Sequence, residues 1–146
     1  STFPAGLQPF DYNRDGLVDV VVGTRLNYNT IDGPGTVFGA LYGKLQLFEN
    51  IVNNTNSWFV VDVPVNIQGR TTMDALLKLR TSQGWLYRRV GSVGEGRSHS
   101  FITQVHFGIG STQKVKEVVL QLIGGSVEIS RNLTGVPVNQ IYSLDV

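Results

Sequence analysis

The 146-residue chain contains no cysteine, which excludes disulfides, thiolate nucleophiles and zinc–thiolate sites together while leaving the compartment open. An excess of one charge is missing as well: 12 basic side chains stand against 11 acidic ones, for a net charge of +1. Arg88-Arg89 is the only adjacent basic pair, so there is no electrostatic basis for binding nucleic acid or an anionic membrane. No apolar stretch approaches the roughly 18 residues of a membrane span. The chain starts at Ser1 with neither Met nor a leader, and reads as a mature or excised piece. Histidine is scarce. His99 and His106 stand seven apart on one expected strand region, so they face opposite sides and share no metal. His106 is expected to fill the turn before Phe107-Gly108-Ile109-Gly110. Ser98 and Ser100 flank His99, but neighbours on a strand point away from each other, and no triad results. Gly94-Glu95-Gly96 and Gly108-Ile109-Gly110 lack the third glycine and the helix of a dinucleotide loop. Asp62, Asp74, Glu95, Glu117, Glu128 and Asp145 are isolated in sequence and suggest no acid–base pair. The chain is expected not to be an enzyme.

What is present is a local concentration of oxygen ligands. Asp11-Tyr12-Asn13-Arg14-Asp15-Gly16-Leu17-Val18-Asp19 holds three of the seven aspartates and runs directly into Val20-Val21-Val22-Gly23. Side-chain oxygens at every second position, with a glycine after the third, suit a short loop closing around Ca²⁺, which takes six to eight oxygen ligands. Asp11, Asn13, Asp15 and Asp19 would supply side-chain oxygens and Leu17 its backbone carbonyl, with Gly16 at the sharp turn. An EF-hand would need Glu at the position of Val22 and a helix to follow; β-branched residues follow instead. The alternative is a metal-free turn rich in Asp and Asn. A loop of this kind stays loaded at the millimolar Ca²⁺ found outside cells, which points to an extracellular or cell-surface protein.

Period-two and β-branched runs recur at 18–22, 44–49, 58–63, 73–80, 85–90, 100–107, 115–122, 126–130 and 140–146, the plan of an all-β protein of antiparallel sheets. No segment carries an apolar stripe at helical spacing with caps. The glycine-rich stretch Ile31 to Ala40 reads as a long loop. The opening residues 1–10 are apolar but hold Pro4 and Pro9, which forbid a central strand. They either pack on their own domain or form an arm that adds to a neighbouring copy's sheet. Of Trp58-Phe59, at least one is buried by alternation. Trp85 and Tyr87 share one strand face; with Arg89 they form either a sugar-stacking platform or, more in keeping with the size of their rings, part of the core. Two sequons, at Asn53 and Asn132, are no more than chance provides, yet both lie in turn-like segments able to carry a glycan.

Asp11 to Gly23, continued by Leu45-Gln46-Leu47-Phe48-Glu49-Asn50, resembles one FG-GAP (VCBS) blade unit of the integrin-α type, whose acidic loop precedes an apolar strand. Downstream, Gly69-Arg70, Tyr87-Arg88-Arg89-Val90, Gly94-Glu95-Gly96, His106 to Gly110, and Val115 to Leu122 before Gly124-Gly125 resemble the ASPIC/UnbV domain of cartilage-acidic-protein-like chains. Leu122-Ile123-Gly124-Gly125 departs from that family's Trp-Pro-Ser-Gly. The resemblance implies a calcium-binding β unit at 1–64 packed with a β-sandwich-like domain at 65–146. A closed propeller has several blades and this chain has one, so the unit needs cover from its own second half or from other subunits. The expected function is an extracellular, non-catalytic structural or adhesion module that assembles with copies of itself into an oligomer or filament, through its strands and N-terminal arm. Matrix components or glycans are further expected partners. A carbohydrate-binding module using calcium and aromatic residues is the alternative.

Overall fold

The computed structural model describes residues 2–26, 44–91, 103–111, 114–124 and 127–145. The described residues are all-β, without a helix. Twelve strands follow in order: β1 (Thr2–Phe10), β2 (Asp19–Leu26), β3 (Lys44–Phe48), β4 (Ser57–Asp62), β5 (Asn66–Ile67), β6 (Arg70–Thr71), β7 (Leu76–Thr81), β8 (Gly84–Arg89), β9 (Gln104–Gly110), β10 (Val115–Gln121), β11 (Glu128–Asn132) and β12 (Ile141–Ser143). They form sheets ordered β1-β2-β3, β11-β10-β7-β8 and β12-β4-β9, plus the small ribbon β5-β6. All pairings are antiparallel except that of β12 with β4.

The core lies between the four-stranded sheet and the β12-β4-β9 sheet. Leu77, Leu79, Val118, Leu120 and Ile129 from the first meet Phe59, Val61, Val105, Phe107 and Ile109 from the second in one buried cluster. Alternation explains both faces: Leu77 and Leu79 are buried, whereas Lys78 and Arg80 between and beyond them point outward. Each fully buried large side chain contributes about 1.5–3 kcal/mol of transfer free energy. The division expected near residue 64 does not follow the sheets. Strand β4 precedes it, yet β4 pairs with β9 and β12, because alternating Phe59 and Val61 fit only against the core of the second half.

The described side chains of the β1-β2-β3 sheet contribute nothing to that core; every buried hydrophobic residue described lies at position 59 or later. On β3, all five residues are exposed. Residues 2–10 of the opening segment, expected either to pack on their own domain or to form an arm, are β1, antiparallel to β2 of the same chain over Thr2↔Leu26 to Phe10↔Asp19, with a register shift between Pro4 and Gly6. An edge position tolerates both prolines, since the missing N–H groups leave no central ladder incomplete. As an edge strand, β1 leaves its outer side without a partner strand among the described residues. The glycine-rich loop at 31–40, His99 and the Gly94-Glu95-Gly96 motif fall outside the described residues.

Candidate functional site

The loop from Asp11 to Asp19 joins β1 to β2, and its own backbone organises it. Asp11 Oδ1 accepts the Asp15 N–H at 3.1 Å and Oδ2 the Gly16 N–H at 2.9 Å. Asn13 Oδ1 also accepts from Asp15 N–H, at 3.1 Å, and Asp15 Oδ1 accepts the Leu17 N–H at 2.8 Å. Arg14 at φ 62° and Gly16 at φ 89° supply the left-handed turns that bring these N–H groups inward. The side chains of Asp11, Asn13 and Asp15 are therefore gathered at the loop by spacing of two and four residues, as their sequence positions imply.

Asp19 closes the far side. It is fully buried, and its two oxygens take the N–H groups of Tyr12 at 3.1 Å and Asn50 at 2.8 Å. Asn50, which follows β3, also donates its side-chain amide to the Val18 carbonyl at 3.3 Å. The loop, β2 and the end of β3 are thus tied at one carboxylate. A buried carboxylate needs hydrogen-bond donors or a cation, and Asp19 has two donors.

The electrostatics are one-sided. Among the described residues the ion pairs are Lys78–Glu128 and Arg80–Glu117, both on the four-stranded sheet; Asp11, Asp15, Asp19 and Glu49 have none. Their field reaches Tyr12, whose phenol is held above its ordinary value first by the Glu49 charge, then by lost hydration, then by Asp19 and Asp15. The donor set suits a hard cation: carboxylates, the Asn13 amide oxygen and the Leu17 carbonyl, which accepts no hydrogen bond within the described residues. Among those residues no three carboxylate or imidazole groups by themselves converge on a metal position. A cation here would need Asn13 and Leu17 as well as the aspartates.

Two residues not singled out as site residues dock this loop onto the rest of the molecule. Trp58 of β4 packs against Gly16, where an added Cβ would overlap its indole. His106 of β9 stacks on Trp58 with centroids 6.1 Å apart, and its Nε2 lies 2.9 Å from the Gly16 carbonyl. His106 therefore sits within β9, not in a turn, with its side chain on the face opposite the core residue Phe107. Alternation left either Trp58 or Phe59 for burial, and Phe59 takes the core.

Trp85 and Tyr87 are exposed by 39% and 53%, so the expectation that they are core is corrected. The buried face of β8 belongs to Leu86, which packs against the core, and this turns both aromatics outward. Arg80 on β7 lies 5.7 Å above the Trp85 ring, while Arg89 donates to the Asp74 carbonyl at 2.9 Å. Asn53 and Asn132 are both exposed. No helix among the described residues is long and apolar enough to cross a membrane. Compared with known proteins, the chain matches no family model and no curated protein.

Proposed function

We propose that the chain is an extracellular, non-catalytic, calcium-binding structural or adhesion module that assembles with further copies of itself. The observation that carries this reading is the β1-β2-β3 sheet, which no other described element covers. Leu45 is 82% and Leu47 46% exposed on one face, Leu7 61% and Phe48 56% on the other, and Ile51, just after β3, 84%, and β3 is an edge strand. A three-stranded sheet needs a packed hydrophobic face, while exposed apolar side chains on its faces beside a free edge are a site for another β surface. The occupant is a second copy, whose own β1-β2-β3 sheet offers the same apolar side chains; a repeated contact that does not close extends into a filament. The FG-GAP resemblance supports the same reading, because a lone blade unit lacks neighbours. Calcium held by Asp11, Asn13, Asp15, Leu17 and Asp19 would neutralise the carboxylates and stiffen the unit that makes the contact. Light scattering and negative-stain microscopy of the purified chain, with Ca²⁺ and with a chelator, test this. Assemblies that shrink on chelation are expected; a monomer in both conditions overturns the reading.

A second reading is favoured by one observation, the outward Trp85 and Tyr87 on a single face. Aromatic faces of this kind stack on sugar rings. Loss of glycan-array binding in Trp85→Ala/Tyr87→Ala would establish it.

A further inference from the structure

A cleft of about 550 Å³ lies between the Asp15–Val18 part of the loop and the segment 50–58. Half of the chain's ten asparagines line it: Asn50, Asn53, Asn54, Asn56 and Asn139, together with Trp58. Asp15 is the one charged lining residue. Three of these amides are held by their oxygens. Asn50 Oδ1 accepts the Val52 N–H at 3.2 Å, Asn54 Oδ1 the Asn56 N–H at 2.9 Å, and Asn139 Oδ1 the Trp58 N–H at 2.9 Å. Fixing the oxygen orients the NH₂ group, and those of Asn54 and Asn139 have no partner among the described residues. The side chains of Asn53 and Asn56 have none either.

A concavity so lined offers several neutral donors and acceptors at fixed positions beside a partly exposed aromatic ring. An apolar ligand would strip water from the amides without replacing its hydrogen bonds. An anion would meet Asp15, whose N–H bonds Asp11 and whose neighbour Asn13 reaches Glu49, with no lysine or arginine on the walls. A ligand that matches is uncharged, dense in hydroxyl groups and flat on one face. We infer that this cleft binds a neutral saccharide, its hydroxyls bonded by Asn53, Asn54, Asn56 and Asn139 and its ring packed against Trp58. The site is separate from the outward face of β8, and its sugar contacts include none of the calcium ligands, although Asp15 and Leu17 line one wall. The saccharide has two sources, another molecule's glycan or a glycan carried on this chain's own Asn53, which lies in the cleft wall; in the second case Asn53 is the point of attachment and Asn54, Asn56 and Asn139 make the contacts.

Both sources are tested by nuclear magnetic resonance on the isotope-labelled chain. Made in bacteria, without glycans, it is titrated with maltotriose, mannotriose, N-acetylchitotriose and lactose while the Trp58 indole and asparagine amide signals are followed. At least one sugar is expected to shift them saturably. Asn53→Ala/Asn56→Ala, which removes no bond within the protein, should weaken this binding roughly tenfold or more, as the loss of two hydrogen bonds would. Trp85→Ala/Tyr87→Ala should leave it unchanged. Secreted from a glycosylating host, the chain should show the Trp58 signal already displaced if its own glycan is the occupant, and enzymatic removal of the glycan should restore the free position. No shift in either form overturns the proposal, as do shifts confined to Trp85 and Tyr87.

Discussion

Replacing Gly16 by alanine tests how the acidic loop is held to the sandwich. At φ 89° an alanine is strained by about 1–2 kcal/mol. Its Cβ would also occupy the space of the Trp58 indole, which must move. Moving it disturbs the stack on His106, worth about 0.5–1.5 kcal/mol, and the His106 contact with the Gly16 carbonyl, worth about 1 kcal/mol. The sum is roughly 2.5–4.5 kcal/mol, or about 10 °C in Tm for a chain of this size. Urea unfolding followed by circular dichroism measures it. In a Trp58→Ala background the collision is gone, and Gly16→Ala should cost only the backbone strain of about 1–2 kcal/mol. Equal costs in the two backgrounds, or a cost below about 1 kcal/mol in the parent, would refute the claim that Trp58 is the anchor.

Asp19→Asn places an NH₂ against one of two buried N–H donors and should destabilise by about 1–3 kcal/mol; a change within about 0.5 kcal/mol would mean that Asp19 does not tie the loop to Asn50. Asp15→Ala should abolish the calcium-dependent rise in thermal stability, measured by calorimetry in millimolar Ca²⁺, and an unaltered rise would remove this loop as the site. Tyr12 should ionise above the usual pH of about 10. Because its folded value is raised, the stability it contributes is complete below the unfolded value and is lost as pH rises through the folded one. Absorbance titration against Tyr12→Phe reads this directly, and Glu49→Gln should bring the value back down; a Tyr12 that ionises at or below the ordinary value contradicts the crowding of carboxylates around it. Leu45→Lys on β3 should lower the mass of assemblies in light scattering while leaving the unfolding midpoint of the separated chain unchanged, since that side chain touches no core.

Much of the fold was legible in local pattern. The observed strands overlap every described run of alternating or β-branched residues, because a strand with one face on a core needs period-two apolar residues. The ends were less legible: β7 begins at Leu76 rather than 73, where Asp74 takes φ 61° and turns the chain. The acidic loop was legible for the same local reason, its hydrogen bonds spanning two to five residues between Asp11 and Leu17. Asn50 was noted only as part of a resemblance, and its tie to Asp19 across 31 residues supplies the physical role.

Sequence alone determined the all-β character, the positions of nine of the twelve described strands, and the gathering of Asp11, Asn13 and Asp15, since each depends on neighbours a few residues apart. Tertiary structure decided which face of each strand meets the core. Alternation puts Trp85 and Tyr87 on one side of β8, but only packing against the second sheet selects Leu86 for burial and turns them to solvent. It likewise decided that β4 joins β9 and β12, and that Trp58 and His106 receive the loop at Gly16, His106 from 90 residues away. Such contacts arise from shape and volume filled by distant segments, which no local periodicity specifies.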